Sequence, residues 1–346
     1  MRTIKSIATL SSLLAVALAP SAALSAETVY ISGPGAAIQK VIEEKVVPPF
    51  EAKTGAKVVY TPGSSSDIVA KLMAQKGKQD LSFVLLDSGP MTRAIGQDLC
   101  APLPNLPVLN DIYPSARLPG GKAVAHGFYA TGLVYNKEVF AKNGWAPPTS
   151  WNDLADPKYN GKVSIGPISG YGVEALVMVS RAQGGDDRNI EPGFQFMSEK
   201  IAPNVLAWEA APATLAQMLQ SGEAALIVWN NTRTHALIEQ GAPVEFVYPK
   251  EGARMGMSTS CVVNGGPQPK LAGQLMEELL SPAVQLELAK GVASGPTNSK
   301  VKLDPAEASG VVYGTDKVNS LVAIDWAYIN EQLPEWTKRW NRKVER

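Results

Sequence analysis

The chain repeats one unit: a short apolar run, a loop of Gly, Ser, Pro or Asn, and then an amphipathic helix. Residues 28–31 form the first apolar run, followed by Ser32-Gly33-Pro34-Gly35 and an amphipathic stretch over 36–51 that bends at Pro48-Pro49. Residues 57–61 come next, with the loop Pro62-Gly63-Ser64-Ser65-Ser66 and a helix over 67–75 carrying Ile68, Leu72 and Met73 on one side. The run 81–86 leads into Asp87-Ser88-Gly89-Pro90 and a helix toward Gln97. A second series has the same form: 162–165 with Gly166 to Gly172, 205–208 with Glu209 to Pro212, and 224–229 with Asn230-Asn231-Thr232, each followed by a helix. Strands that alternate with helices require parallel pairing through right-handed crossovers, so two α/β lobes are expected, each a mostly parallel sheet flanked by helices.

In open parallel sheets, ligands gather beyond the carboxyl ends of the strands, where each loop feeds a helix N-terminus. All six loops hold that position, and their residues suit binding: Gly admits a ligand to the backbone, Ser and Asn supply hydrogen bonds, and free N–H groups favour anions. The candidate ligand contacts are Ser32, Gly33, Ser64, Ser65, Ser66, Asp87, Ser88, Ser169, Gly170, Tyr171, Trp208, Glu209, Trp229, Asn230, Asn231 and Ser258. Several have a second explanation. Ser64 to Ser66, Ser169, Asn230 and Asn231 also suit helix N-caps, and Trp208 and Trp229 suit either core packing or stacking on a ligand. Asp87 and Glu209 are placed to meet a cationic group, whereas Arg93 and Arg233 either clamp an anion or lie solvated on their helices.

Enzymatic chemistry finds little support. Gly170-x-Gly172-x-x-Ala175 has the dinucleotide spacing, but the acidic residue expected about 20 positions on is missing, since the next strand closes at Trp208-Glu209. There is no GxSxG elbow, P-loop or HExxH helix, and the two histidines, His126 and His235, leave imidazole chemistry few candidates. No catalytic residue, metal site or cofactor is expected.

Residues 1–26 have the form of a secretory signal peptide: Arg2 and Lys5, an apolar stretch, and Leu24-Ser25-Ala26 before a mature terminus at Glu27. The apolar run is shorter than the roughly 20 residues a membrane anchor needs. With 32 basic and 32 acidic residues, losing that leader leaves the rest two charges negative, and nothing points to nucleic acid as a partner. Export to an oxidising compartment permits a Cys100–Cys261 disulfide, although two separately buried thiols are the expectation. The apolar stripe Trp326, Ile329, Leu333, Trp336 and Trp340 is assigned to the core, on a helix that Pro334 kinks or splits.

Several segments together resemble the periplasmic solute-binding proteins of ABC importers, in particular the spermidine/putrescine-binding branch. They are Gly222-Glu223-Ala224 through Ile227-Val228-Trp229-Asn230, Gly241-Ala242-Pro243-Val244, and Val247-Tyr248-Pro249-Lys250-Glu251-Gly252. Ser150-Trp151-Asn152-Asp153-Leu154, Pro157-Lys158-Tyr159-Asn160-Gly161 and Gly295-Pro296-Thr297-Asn298 belong with them. The resemblance implies a monomer of two lobes, 27–131 with 256–305 and 132–255 with 306–346, that closes on a small solute and docks on an inner-membrane ABC permease. It also implies crossings near Ala130-Thr131-Gly132 and from Arg254 to Ser258. Polyamine binders of this family use a Trp and an Asp on the return segment, where this chain has Gly256 and Ser258. A small polar solute, anionic or zwitterionic, is therefore expected, with a polyamine as the alternative and a secreted enzyme as the less favoured class.

Overall fold

The computed structural model describes residues 26–345, so the expected leader falls outside the described residues apart from Ala26. Its strands are β1 (Thr28–Gly33), β2 (Lys57–Pro62), β3 (Phe83–Asp87), β4 (Val124–Asn136), β5 (Val163–Ile165), β6 (Val205–Trp208), β7 (Leu226–Asn230), β8 (Val244–Val247) and β9 (Arg254–Val262). They form a 9-stranded sheet in the order β2-β1-β3-β9-β4-β7-β5-β6, with β8 also paired to β4. Within each series the strands run parallel, β1 with β2 and β3, and β5 with β6 and β7. The two series are joined through the antiparallel strands β4 and β9.

One residue marks the junction. Thr131 on β4 faces Arg254 on β9 and Asn230 on β7, so β4 exchanges one half-sheet for the other at that position. The central strands β3 and β7 are buried on both faces, which is why each is an apolar run up to the polar residue that ends it. On β3, Phe83 and Leu85 enter one core with Val29, Ile31 and Leu279, while Val84 and Leu86 enter another with Ile68, Leu72 and Met91. Likewise on β7, Leu226 and Val228 pack with Trp151, Leu176 and Trp340, and Ile227 and Trp229 pack with Leu215, Leu219 and Leu237.

One expectation is overturned in the folded chain. Cys100 and Cys261 are not separate thiols: they are joined in a disulfide with Cα atoms 5.8 Å apart. Long-range pairing brings them together, because Cys100 bridges to Val263 beside β9 while Cys261 lies on β9 opposite Val84. The first helical stretch carries a π turn at Ile42–Val46, where the Val47 N–H donates to the Ile42 carbonyl, and Pro48 and Pro49 lie in the first turn of the helix Val47–Thr54 that follows. Of the two alternatives for the C-terminal helix, splitting does not occur: Trp326–Lys343 runs through Pro334, which removes a single intrahelical donor, and Ile329, Trp336 and Trp340 enter the second core as expected.

Candidate functional site

Loops from both half-sheets enclose a cleft of about 760 Å³, a volume suited to a small organic molecule. All six strand-to-helix loops reach it, through Gly35, Gly63 to Ser66, Asp87 to Pro90, Gly166 to Tyr171, Glu209 and Ala210, and Asn230 with Thr232. Of the expected contacts, Ser64, Ser65, Ser66, Asp87, Ser88, Ser169, Gly170, Tyr171, Glu209, Asn230 and Ser258 line the cleft, as do Arg93 and Arg233.

Five others do not line it. Ser32 is buried and donates to the Thr61 carbonyl at 2.9 Å. A Cβ on Gly33 would lie 2.6 Å from the Tyr60 hydroxyl, so that position faces neighbouring protein. Trp208 stacks edge-on against Trp340 with ring centres 5.0 Å apart, and Trp229, 2% exposed, alternates with Val228 into the core beneath the helix Pro212–Ser221. Asn231 turns away as well, its amide oxygen accepting from the Ala130 N–H at 2.8 Å and its amide nitrogen donating to the Gly310 carbonyl at 2.7 Å. The paired asparagines therefore divide the work. Asn230 caps the helix Asn231–Glu239 by accepting from the Arg233 N–H at 2.8 Å, and also donates to the Tyr171 hydroxyl at 2.8 Å in the cleft wall.

Sequence reasoning missed the floor of the cleft. Tyr129 from β4, Glu174 from the first turn of the helix Tyr171–Ala182, Arg254 from β9, and Trp326 with Asn330 from the C-terminal helix all line it. Arg254 is 1% exposed and Glu174 is 8% exposed, and an Arg254 Nη2 to Glu174 Oε1 ion pair joins them. The guanidinium also faces the Tyr129 and Trp326 rings at 5.3 and 5.8 Å. The Tyr129 hydroxyl donates to Asp87 Oδ1 at 3.0 Å, and the Ser65 hydroxyl reaches Asp87 Oδ2 at 3.2 Å. One local signal for Glu174 existed, a carboxylate in the first turn after a glycine loop. Its partner lies 80 residues away, beyond any local pattern.

The electrostatics follow from burial. Burial pushes the Glu174 carboxyl up from its usual range, offset in part by Arg254. For Arg254, burial works against the charge, but the Glu174 carboxylate outweighs it and holds the guanidinium protonated. Burial raises Tyr129 and Tyr171 as well, so both hydroxyls keep their protons at neutral pH. With Arg254 and Glu174 paired, Asp87 and Glu209 are opposed by Arg93 and Arg233, giving walls of mixed sign. Two long helices, Ser88–Gly96 and Tyr171–Ala182, begin at the cleft with no side-chain cap, leaving N–H groups that suit an anion. Among the described residues, no group of three or more His, Cys, Asp or Glu side chains is arranged to hold a metal.

Comparison with known proteins agrees with this architecture. The model for bacterial extracellular solute-binding proteins matches residues 45–311. The spermidine/putrescine-binding periplasmic protein of Escherichia coli is 27% identical over 259 residues, which cover 70% of this chain and 71% of that protein. An ABC transporter structure from Clostridium perfringens superimposes with a TM-score of 0.77 at 23% identity, over 91% of this chain and 99% of that one. The periplasmic binding protein AfuA of Actinobacillus pleuropneumoniae, with fructose-6-phosphate bound, gives 0.75 at 20% identity, over 93% and 99%. With a family match across most of its length and a two-lobed fold around one cleft, the chain belongs to the bacterial extracellular solute-binding proteins.

Proposed function

We propose that this substrate-binding component of an ABC transporter captures a small zwitterionic or anionic organic solute in the periplasm. It acts as a monomer, leaves the solute unaltered, and delivers it to an inner-membrane permease. The uncapped N-termini of the helices Ser88–Gly96 and Tyr171–Ala182 carry this reading, because both meet the cleft where Arg93 and Arg233 are also exposed. Asp87 and Glu209 are available on the same walls for an ammonium group of a zwitterion.

The lobes are assigned as 27–131 with 256–305 and 132–255 with 306–346, hinged near Thr131. The exchange of partners by β4 at that residue supports the division. The return segment favours the anionic reading over a polyamine. A Cβ on Gly256 would lie 2.0 Å from the Tyr129 ring, which leaves no room there for a tryptophan wall, and Ser258 supplies no carboxylate. The fold cannot choose, because it serves AfuA with its sugar phosphate and the spermidine/putrescine-binding relative alike, so the argument rests on the site.

The second reading, a polyamine, is favoured by Asp87 and Glu209 alone. A thermal-shift screen with calorimetric follow-up separates the two, since a ligand that binds only the folded state raises its melting temperature. Stabilisation by amino acids, small carboxylates or phosphonates is expected. Stabilisation by putrescine or spermidine alone would reject the anionic reading, and release of a chemically altered product would reject binding without turnover.

A further inference from the structure

The cleft floor has the parts of a receptor for an organic cation, and the protein's own side chain fills it. A carboxylate with flanking aromatic faces is what holds an ammonium or guanidinium out of water. Here Glu174 supplies the carboxylate, and Tyr129 and Trp326 supply the faces, with the Arg254 guanidinium carbon 5.3 and 5.8 Å from their ring centres. The stem of Arg254 leaves β9 opposite Thr131, at the junction of the half-sheets. Its Nη1 donates to the Met255 carbonyl at 2.7 Å, so the guanidinium is fixed from its own strand as well as from Glu174.

Resting on the reading of the site as one for an anionic or zwitterionic solute, we propose that Arg254 is its specificity-determining residue: an internal counter-cation that occupies the box of Glu174, Tyr129 and Trp326 and closes the cleft floor to cationic solutes.

Two observations support a place for Arg254 in selection beyond folding. The pair is incompletely hydrogen-bonded, since Glu174 Oε2 and Arg254 Nε have no partner in the protein. A buried pair kept only for stability is better replaced by apolar residues of similar volume. Arg254 also organises the walls. Tyr129, against which it packs, donates to Asp87 at 3.0 Å, and Trp326 lies so close to Gly89 that a Cβ there would be 2.8 Å from its ring. Paired with Arg254, the Glu174 carboxylate is already neutralised and its place between the two rings is filled, so a second cation finds neither a free counter-charge nor room there.

The test compares the wild type with Arg254→Met, which keeps most of the stem volume and removes the charge, and with the double variant Arg254→Met, Glu174→Gln. Calorimetry and thermal shift use putrescine and ethylguanidinium at millimolar concentration. The wild type is expected to show no saturable response, Arg254→Met to bind both probes at least about tenfold more tightly, and the double variant to lose that gain. Wild-type binding of putrescine as tight as that of the variant would overturn the proposal. So would a folded Arg254→Met without a cation response, or a gain that survives in the double variant. Should Arg254→Met fail to fold, Arg254→Gln takes its place and is read by the same criteria, and saturable putrescine binding by the wild type overturns the assignment in either case. Failure of the wild type to bind any anionic or zwitterionic compound would count against the solute reading alone, because the cation response of the variant is read separately.

Discussion

Breaking the Cys100–Cys261 linkage is expected to lower stability by up to about 5 kcal/mol. The two cysteines are 161 residues apart, and closing a loop of that length in the unfolded chain removes roughly 17 cal/mol/K of entropy, or about 5 kcal/mol at 25 °C. Measured effects fall at or below such values, so this is an upper figure. Unfolding entropy of roughly 2.1 cal/mol/K per residue over about 320 residues converts it to a fall of about 7 °C in Tm. The assay is urea unfolding followed by tryptophan fluorescence, with and without a phosphine reductant. It compares one chain with itself, so the packing around the two buried sulfurs is the same in both arms. Reduction occurs only once the chain opens, which makes long equilibration necessary. Coincident unfolding curves would refute the loop-entropy argument. Two free thiols titrating in the unreduced, denatured protein would refute the linkage itself.

Asn231→Ala removes the partner of the buried Ala130 N–H and of the Gly310 carbonyl and should cost about 2–4 kcal/mol by urea unfolding. A cost near zero would mean that water replaces the amide. Gly256→Ala places a methyl group 2.0 Å from the Tyr129 ring. The ring must shift and its bond to Asp87 must break, so a loss of about 1–3 kcal/mol in stability together with weaker solute binding is expected. Calorimetry that finds unchanged affinity would place Tyr129 outside recognition. His126 is buried, and burial depresses its pKa to about 3. A histidine that stays neutral in the fold and charges when unfolded stabilises fully above the unfolded value near 6.5. That stability is lost at about 1.4 kcal/mol per pH unit as pH falls from 6.5 toward 3. His126→Gln should flatten the pH dependence of unfolding by one proton in that window, and parallel curves for the two proteins would contradict the assignment.

How much could be read in advance depended on the range of each interaction. The strand over 205–208 and the helix that Asn230 caps follow from apolar periodicity, caps and turn residues, all of which act within a few positions. The direction of a side chain at a strand end is another matter. Trp229 and Asn230 are adjacent, yet the pleat sends the tryptophan into the core beneath a helix and leaves the amide at the cleft, and which face is which depends on the layers that cover the sheet. Asn231 looked equivalent to Asn230, and only the approach of Ala130 and Gly310 made it an internal clamp.

The sequence by itself determined the strand-loop-helix series, the convergence of six polar loops beyond their strands, and a family resemblance spread along the chain. Those are properties of local periodicity and of the rule that parallel strands present their carboxyl ends together. Only the tertiary structure decided that Cys100 meets Cys261, that Trp208 packs on Trp340, and that Arg254 reaches Glu174 to form the cleft floor. The physical reason is distance along the chain. The disulfide and the Arg254–Glu174 pair depend on where β9 runs beside β3 and β4, and the tryptophan pair on how the C-terminal helix docks beside β6, and no short segment encodes either.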